Sequence, residues 1–198
     1  MKMILCVVLI CLLAVSSSAQ IHPDPDGLGL YFDPGGTAYE TQTSVPFQQV
    51  TAYLLATNIT DPMGISGWEC AVITTGSVAA PSWTVSGGLN VTDGSAGLFQ
   101  VGIGLFELAL PSAPTVLLAT WTGFIMAPFD IVEFLVTPFP GSVSFPDSAG
   151  YASGSDAGHL IPFDINGGCF GSGWTIINMW CPLGAEQQSW SEIKTIYR

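Results

Sequence analysis

AYLLATNITDPMGISGWECAVITT, residues Ala52–Thr75, decides how this chain is read. Two apolar runs flank a loop that carries Asn58, Asp61, Pro62 and Gly64, residue types that break strands and close turns. In the second run Trp68, Cys70 and Val72 alternate with Gly67, Glu69 and Ala71, the period of two that marks a strand with one face buried. A carboxylate is costly to bury, so the Trp68/Cys70/Val72 face is expected inside and Glu69 outside.

Working outward, the same punctuation recurs. Leu28–Asp33 reads as a first strand closed by Pro34-Gly35-Gly36, and Val50–Thr57 opens the central pair. Trp83–Val85 follows a Gly/Ala/Pro break. Phe99–Leu105 alternates, with Phe99, Val101, Ile103 and Leu105 assigned inward. Val116–Ile125 and Ile131–Val136 are further apolar strands, with shorter candidates at Ser142–Phe145 and His159–Phe163. Short runs separated by proline and glycine, with almost no helical period, describe an all-β fold: a single antiparallel β-sandwich.

The ends read differently. Lys2, the apolar run Ile4–Val15 and the small residues Ser17-Ser18-Ala19 form an export signal, expected as a helix over 1–19 and removed after Ala19. The run is shorter than the roughly 20 residues a bilayer span needs, and no later window reaches that length. Residues 20–27 form an extended leader held open by Pro23 and Pro25, 28–168 the sandwich domain, and 169–188 a linker with cysteines. Ser189 and Glu192 match a capping box that starts a short helix over 189–198, with Trp190, Ile193 and Tyr197 on one face.

Charge excludes several functions. The chain carries 15 Asp and Glu against 3 Lys and Arg, a formal net charge of −12. After residue 19 the only lysine or arginine is at Lys194 and Arg198. Nucleic-acid binding, which rests on cations meeting phosphates, is not expected, nor is an arginine clamp on an anionic substrate.

The order of features resembles the cohesin-like branch of the immunoglobulin-type sandwiches. Leu54–Asn58 (LLATN), then Gly64-Ile65-Ser66-Gly67-Trp68-Glu69, is similar to that family's strand, asparagine, glycine–isoleucine–aromatic opening. Leu118–Phe124 (LATWTGF) is similar to its leucine–alanine–threonine strand. The likeness covers about Leu28–Phe163, and the chain as a whole is similar to secreted bacterial proteins. It implies a jelly roll of about nine strands and a non-catalytic extracellular role, binding protein or polysaccharide, and supplies no binding residues.

Several site expectations follow from the residues themselves. Asp24 and Asp26, two positions apart before Gly27, with Asp33 joining through folding, could offer calcium the hard oxygens it prefers. Trp83 and Trp174 lie in Gly/Pro-rich surroundings and could stack on a ligand. For the cysteines of an exported chain, a Cys70–Cys169 disulfide is the first expectation and Cys169–Cys181 the alternative. The strand carboxylates Glu69, Glu107 and Glu133 are the residues an extracellular hydrolase would have to use. No catalytic residue is assigned.

Overall fold

The structure, a computed structural model, describes residues 24–165, 167–169 and 173–179. The expected signal helix, residues 20–23 of the leader, Cys181 and the expected helix over 189–198 lie outside the described residues.

Two sheets face each other. The first has the order β1 (Gly27–Tyr31), β3 (Gln48–Thr57), β8 (Thr115–Ile125), β5 (Val78–Val85). The second is built around β4 (Ile65–Thr75). One edge of β4 carries β7 (Leu98–Gly102) with β6 (Leu89–Asn90) beyond it. The other edge takes β9 (Val132–Thr137) and β10 (Gly150–Ser153) end to end, flanked by β12 (Trp174–Ile177), β2 (Glu40–Thr41) and β11 (Leu160–Pro162). All pairings between named strands are antiparallel except β12 with β2. The sandwich read from the sequence is the fold.

The core lies where the inner faces meet. Leu28, Leu30, Leu54, Leu118 and Trp121 come from the first sheet, and Trp68, Cys70, Val72, Phe99 and Phe134 from the second. Edge-to-face ring pairs lock the layers, Trp121 on Phe134 at 4.8 Å and Trp83 on Phe99 at 5.1 Å, an arrangement that adds about 1 kcal/mol each beyond area burial. The Trp68/Cys70/Val72 face is inside, as the alternation required.

The second sheet departs from expectation at one place. Ala71 pairs with Thr137 and Glu69 with Gly150 on the same edge of β4. Residues 138–149 therefore leave the sheet opposite Cys70 and return one step later. Ser142–Phe145, expected as a strand, belongs to this excursion, whose prolines and Gly141 (φ +75°) cannot continue a ladder. Phe145 folds back over Gly150, where a Cβ would stand 2.2 Å from its ring.

Glu69 is correspondingly not solvated. It is only 8% exposed, accepting hydrogen bonds from Ser142 Oγ and, at 3.3 Å, from Gln100 Nε2. Phe145 N in turn donates to Ser142 Oγ at 2.7 Å. A buried polar group must be paired, and here the excursion supplies the partner. The rule that a strand glutamate marks the wet face fails because a loop brings its own donors. Leu105, assigned inward, is also exposed, since β7 ends at Gly102 and the chain turns away.

The first disulfide expectation is corrected. Cys70 is a free thiol in the middle of the core, while Cys169 is disulfide-bonded at the far end of β12. Burial, followed by the adjacent Glu69 charge, pushes the Cys70 thiol well above its ordinary range, and only the thiolate is nucleophilic. Alkylation under native conditions is expected to leave Cys70 unmodified, and alkylation in denaturant to label it fully. Peptide mapping without reductant is expected to join Cys169 to the peptide carrying Cys181; a Cys70–Cys169 peptide would overturn this.

Candidate binding surface

Three turns converge at one end of the sandwich. Gln48 pairs with Ile125, which pairs with Val78, so the starts of β3 and β5 lie beside the end of β8. The Asn178 amide donates to Thr43 Oγ1 at 2.6 Å and to the Asp130 carbonyl at 2.8 Å, tying the segment before β3 to the β8–β9 turn. A Cβ on Gly76 would stand 2.4 Å from the Ile131 carbonyl, which places the β4–β5 turn against the same turn.

The side chains presented here are apolar. Val45, Phe47, Met126, Phe129 and Ile131 are all exposed, Phe47 to 61% and Phe129 to 71%. Both phenylalanines sit in the left-handed region, at φ +57° and +70°. An aromatic residue there costs on the order of 1 kcal/mol, and such strain concentrates where a surface has a task. An exposed apolar cluster of this kind is a common mark of a docking site. The Asp130 carboxylate is engaged within its own turn, accepting from Ala127 N at 3.1 Å.

The sequence reading passed over this surface. Its signal is the dipeptides Pro46-Phe47 and Pro128-Phe129, each just before a strand. Proline sets the entry to the turn and leaves the following ring outside the ladder.

The expected site residues are elsewhere and apart. Asp26 accepts from Thr60 N at 2.9 Å, Thr60 Oγ1 at 2.6 Å and Tyr151 Oη at 2.5 Å. Asp33 accepts from Gly35 N, Thr37 N, Thr37 Oγ1 and Ala38 N. Burial works against ionisation of Asp33, yet those donors together outweigh it and hold the carboxyl below its usual range. Among the described residues no group of three His, Cys, Asp or Glu is placed to hold a metal ion. Asp24, Asp26 and Asp33 thus do not converge, because Asp33 is consumed by its own turn and Asp26 by the Thr60–Tyr151 contact.

Trp83 is partly buried on β5 of the first sheet, and Trp174 half-buried on β12 of the second, so they do not share one stacking platform. Asn58-Ile59-Thr60 and Asn90-Val91-Thr92 each match the three-residue glycosylation pattern, and both asparagine side chains are engaged within the chain. Asn58 Nδ2 donates to the Asp24 carbonyl at 3.3 Å, and Asn90 Nδ2 to that of Leu98 at 3.0 Å.

The fold is a β-sandwich like that of cohesin domains. Among solved structures the chain is similar to a type II cohesin domain from the cellulosome of Acetivibrio cellulolyticus. The two share 12% identity over 79% of this chain and 96% of that one, with a TM-score of 0.52. It is also similar to the sixth cohesin of scaffoldin B from Acetivibrio cellulolyticus, solved in complex with a mutant Cel5 dockerin. There the identity is 11% over 79% of this chain and 100% of that one, with a TM-score of 0.45. No protein-family profile and no curated protein sequence matches the chain.

Proposed function

We propose that this protein is a secreted, non-catalytic β-sandwich module that binds a protein partner through the apolar end formed by Val45, Phe47, Met126, Phe129 and Ile131. The observation that carries the reading is that two exposed, left-handed phenylalanines, Phe47 and Phe129, are brought to one end of the sandwich. Rigid aromatic anchors are the residues that dominate protein interfaces. The cohesin-like fold supports it, and the export signal read in the sequence fits a role outside the cell. Among the described residues no helix is long and apolar enough to cross a membrane.

A hydrolase built on the Glu69–Glu133 pair fits the geometry poorly, and Glu107 lies on a short 3-10 turn rather than on a strand. Glu133 lies opposite Thr75, six residues along β4 from Glu69. At roughly 3.3 Å per residue that is about 20 Å, against the roughly 5–10 Å a glycosidase pair needs. Glu69 is also covered by the excursion.

The test is capture of extracellular proteins from the producing organism on the immobilised chain, beside an array of neutral polysaccharides. Phe47→Ser and Phe129→Ser are each expected to weaken capture of a protein partner by more than about tenfold. The melting temperature is expected to hold, since both rings are exposed and serine keeps the Cβ that sets the left-handed cost. Retention of a polysaccharide that ignores both substitutions would sink the reading.

A further inference from the structure

The end of the sandwich opposite Phe47 and Phe129 is also apolar. Thr57, closing β3, pairs with Thr115, opening β8, so the chain running from β7 into β8 crosses this end. Its backbone is tied down on both sides. Ile103 N and Gly104 N donate to the Ser66 carbonyl, Phe106 N donates to the Gly154 carbonyl at 2.7 Å, and Leu110 exchanges two bonds with Ile65 at 2.9 Å. Phe106–Leu108 forms a single 3-10 turn between these anchors. The side chains of the turn nevertheless face water, Phe106 being 57% and Leu108 72% exposed, with Leu105 exposed beside them. Two neighbours extend the patch. Exposed Leu89 pairs with Gly102 just before the turn, and exposed Met63 precedes Gly64, whose carbonyl accepts from Gly154 N. Phe106 has φ +54°, so among the described residues all three left-handed phenylalanines are exposed at one end of the sandwich or the other.

We infer that this second apolar end docks a basic, apolar segment of a partner protein, one that carries lysine or arginine beside its aliphatic side chains. Charge selects the occupant. Glu107 stands exposed between Phe106 and Leu108. Asp156, also exposed, lies two residues past Gly154, to which Phe106 N is bonded. The described residues hold no lysine or arginine, so no cation of the fold answers these carboxylates. A cation brought in by the partner would meet them, and complementary charge beside an apolar anchor is what fixes partner and register at an interface. The same count argues against a second copy. The chain has a formal net charge of −12, and a copy docked here would set Glu107 against another surface of carboxylates.

The backbone supports the same assignment. A turn already held by hydrogen bonds has little ordering entropy left to lose on binding. A bulky residue at positive φ is an outlier, and its cost of order 1 kcal/mol is tolerated where a surface has a task. Apolar side chains exposed side by side are otherwise an aggregation hazard, and Glu107 in their midst repels further copies while admitting a basic partner. This inference rests on other residues than the end at Phe47 and Phe129 and does not depend on it.

Fluorescence anisotropy with the full chain tests the surface. The probe is a labelled synthetic peptide of about twelve residues with leucine on one helical face and lysine on the other. A second peptide with glutamine in place of leucine keeps the charge. The chain is expected to bind the leucine–lysine peptide at least about tenfold more tightly than the glutamine–lysine one. Phe106→Ser and Leu108→Ser are each expected to weaken that binding by about tenfold or more at an unchanged melting temperature. Glu107→Gln should weaken it by about threefold or more and flatten its dependence on salt. Asp147→Asn and Val143→Ser, the same kinds of change at exposed positions of the 138–149 excursion, should leave it as it was. Equal affinity for the two peptides overturns the inference. So does a loss with Asp147→Asn that matches Glu107→Gln, which would mean attraction to net charge alone, or a loss that follows Phe129→Ser instead of Leu108→Ser. Self-association in sedimentation that Leu108→Ser abolishes would mark a second copy as the occupant and overturn it as well.

Discussion

Gly64→Ala is expected to destabilise the fold by about 3–4 kcal/mol, lowering the melting temperature by roughly 10 °C in a domain of this size. Gly64 sits at φ +78° in the loop that joins the two strands of Ala52–Thr75. A residue with a Cβ pays about 1–2 kcal/mol for the left-handed conformation alone. Space adds to this, because the new Cβ would stand 1.8 Å from the Leu110 carbonyl oxygen and 2.8 Å from Ser112 N. That oxygen accepts from Ile65 N at 2.9 Å, and Leu110 N donates back to Ile65 O at 2.9 Å. The backbone can relieve the collision only by opening this bridge, at about 1 kcal/mol per bond. Gly154 N, which donates to Gly64 O at 2.8 Å, would be disturbed as well. Gly141→Ala is the control. Its φ is similar at +75°, but nothing lies within 4 Å of the added Cβ, so only the conformational cost of about 1–2 kcal/mol is expected. Denaturant unfolding of the two variants separates collision from conformation, and equal losses would refute the collision.

Much of the sandwich was legible because it rests on local signals. Alternation placed Trp68, Cys70 and Val72 inside, and turn residues set the ends of β4 and β8 within a residue. What escaped depends on contacts distant in sequence. Glu69 is buried because Ser142, 73 residues later, reaches it, and no window around position 69 contains that information. The pairing of Cys70 with Cys169 failed for a similar reason, since sequence shows that two thiols exist but not that one is sealed between sheets. The apolar end is a third case. Phe47 and Phe129 lie far apart in the chain and come to the same end of the sandwich only because the start of β3 pairs with the end of β8. The Asp24–Asp26–Gly27 pattern suggested an ion and delivered a staple, since Thr60 and Tyr151 satisfy Asp26 before any metal is considered.

That staple carries the second large effect. Asp26→Asn is expected to cost about 2 kcal/mol and Asp26→Ala about 3. Asp26 holds the entry to β1 against Thr60 and against Tyr151, whose ring is fully buried and tilted on Phe163 at 5.0 Å. Hydrogen bonds to a charged acceptor contribute about 1.5–3 kcal/mol, and stranding the Tyr151 hydroxyl adds a desolvation cost. Asparagine keeps an acceptor and tolerates φ +53°, whereas alanine does neither, hence the larger loss. Tyr151→Phe removes donor and hydroxyl together and is expected to cost only about 1 kcal/mol, and combined with Asp26→Ala it should add less than the sum. The contact also sets an alkaline limit. Burial, followed by the hydrogen bond to Asp26, raises the Tyr151 hydroxyl far above its ordinary value of 10.0. Below pH 10 both folded and unfolded chains keep that proton, and the contribution is complete. Above pH 10 the unfolded chain releases it while the folded chain retains it, so stability falls as pH rises. Tyr31, raised by burial and then by the Asp33 charge, acts in the same direction. Melting temperatures measured from pH 8 to pH 12 should begin to fall near pH 9, where the unfolded Cys70 thiol releases a proton that the buried thiol keeps, and should fall more steeply above pH 10 as the two tyrosines join. The decline should be shallower in Tyr151→Phe, shallower still when Tyr31→Phe is added, and an unchanged slope in the double variant would show that neither hydroxyl is held as described.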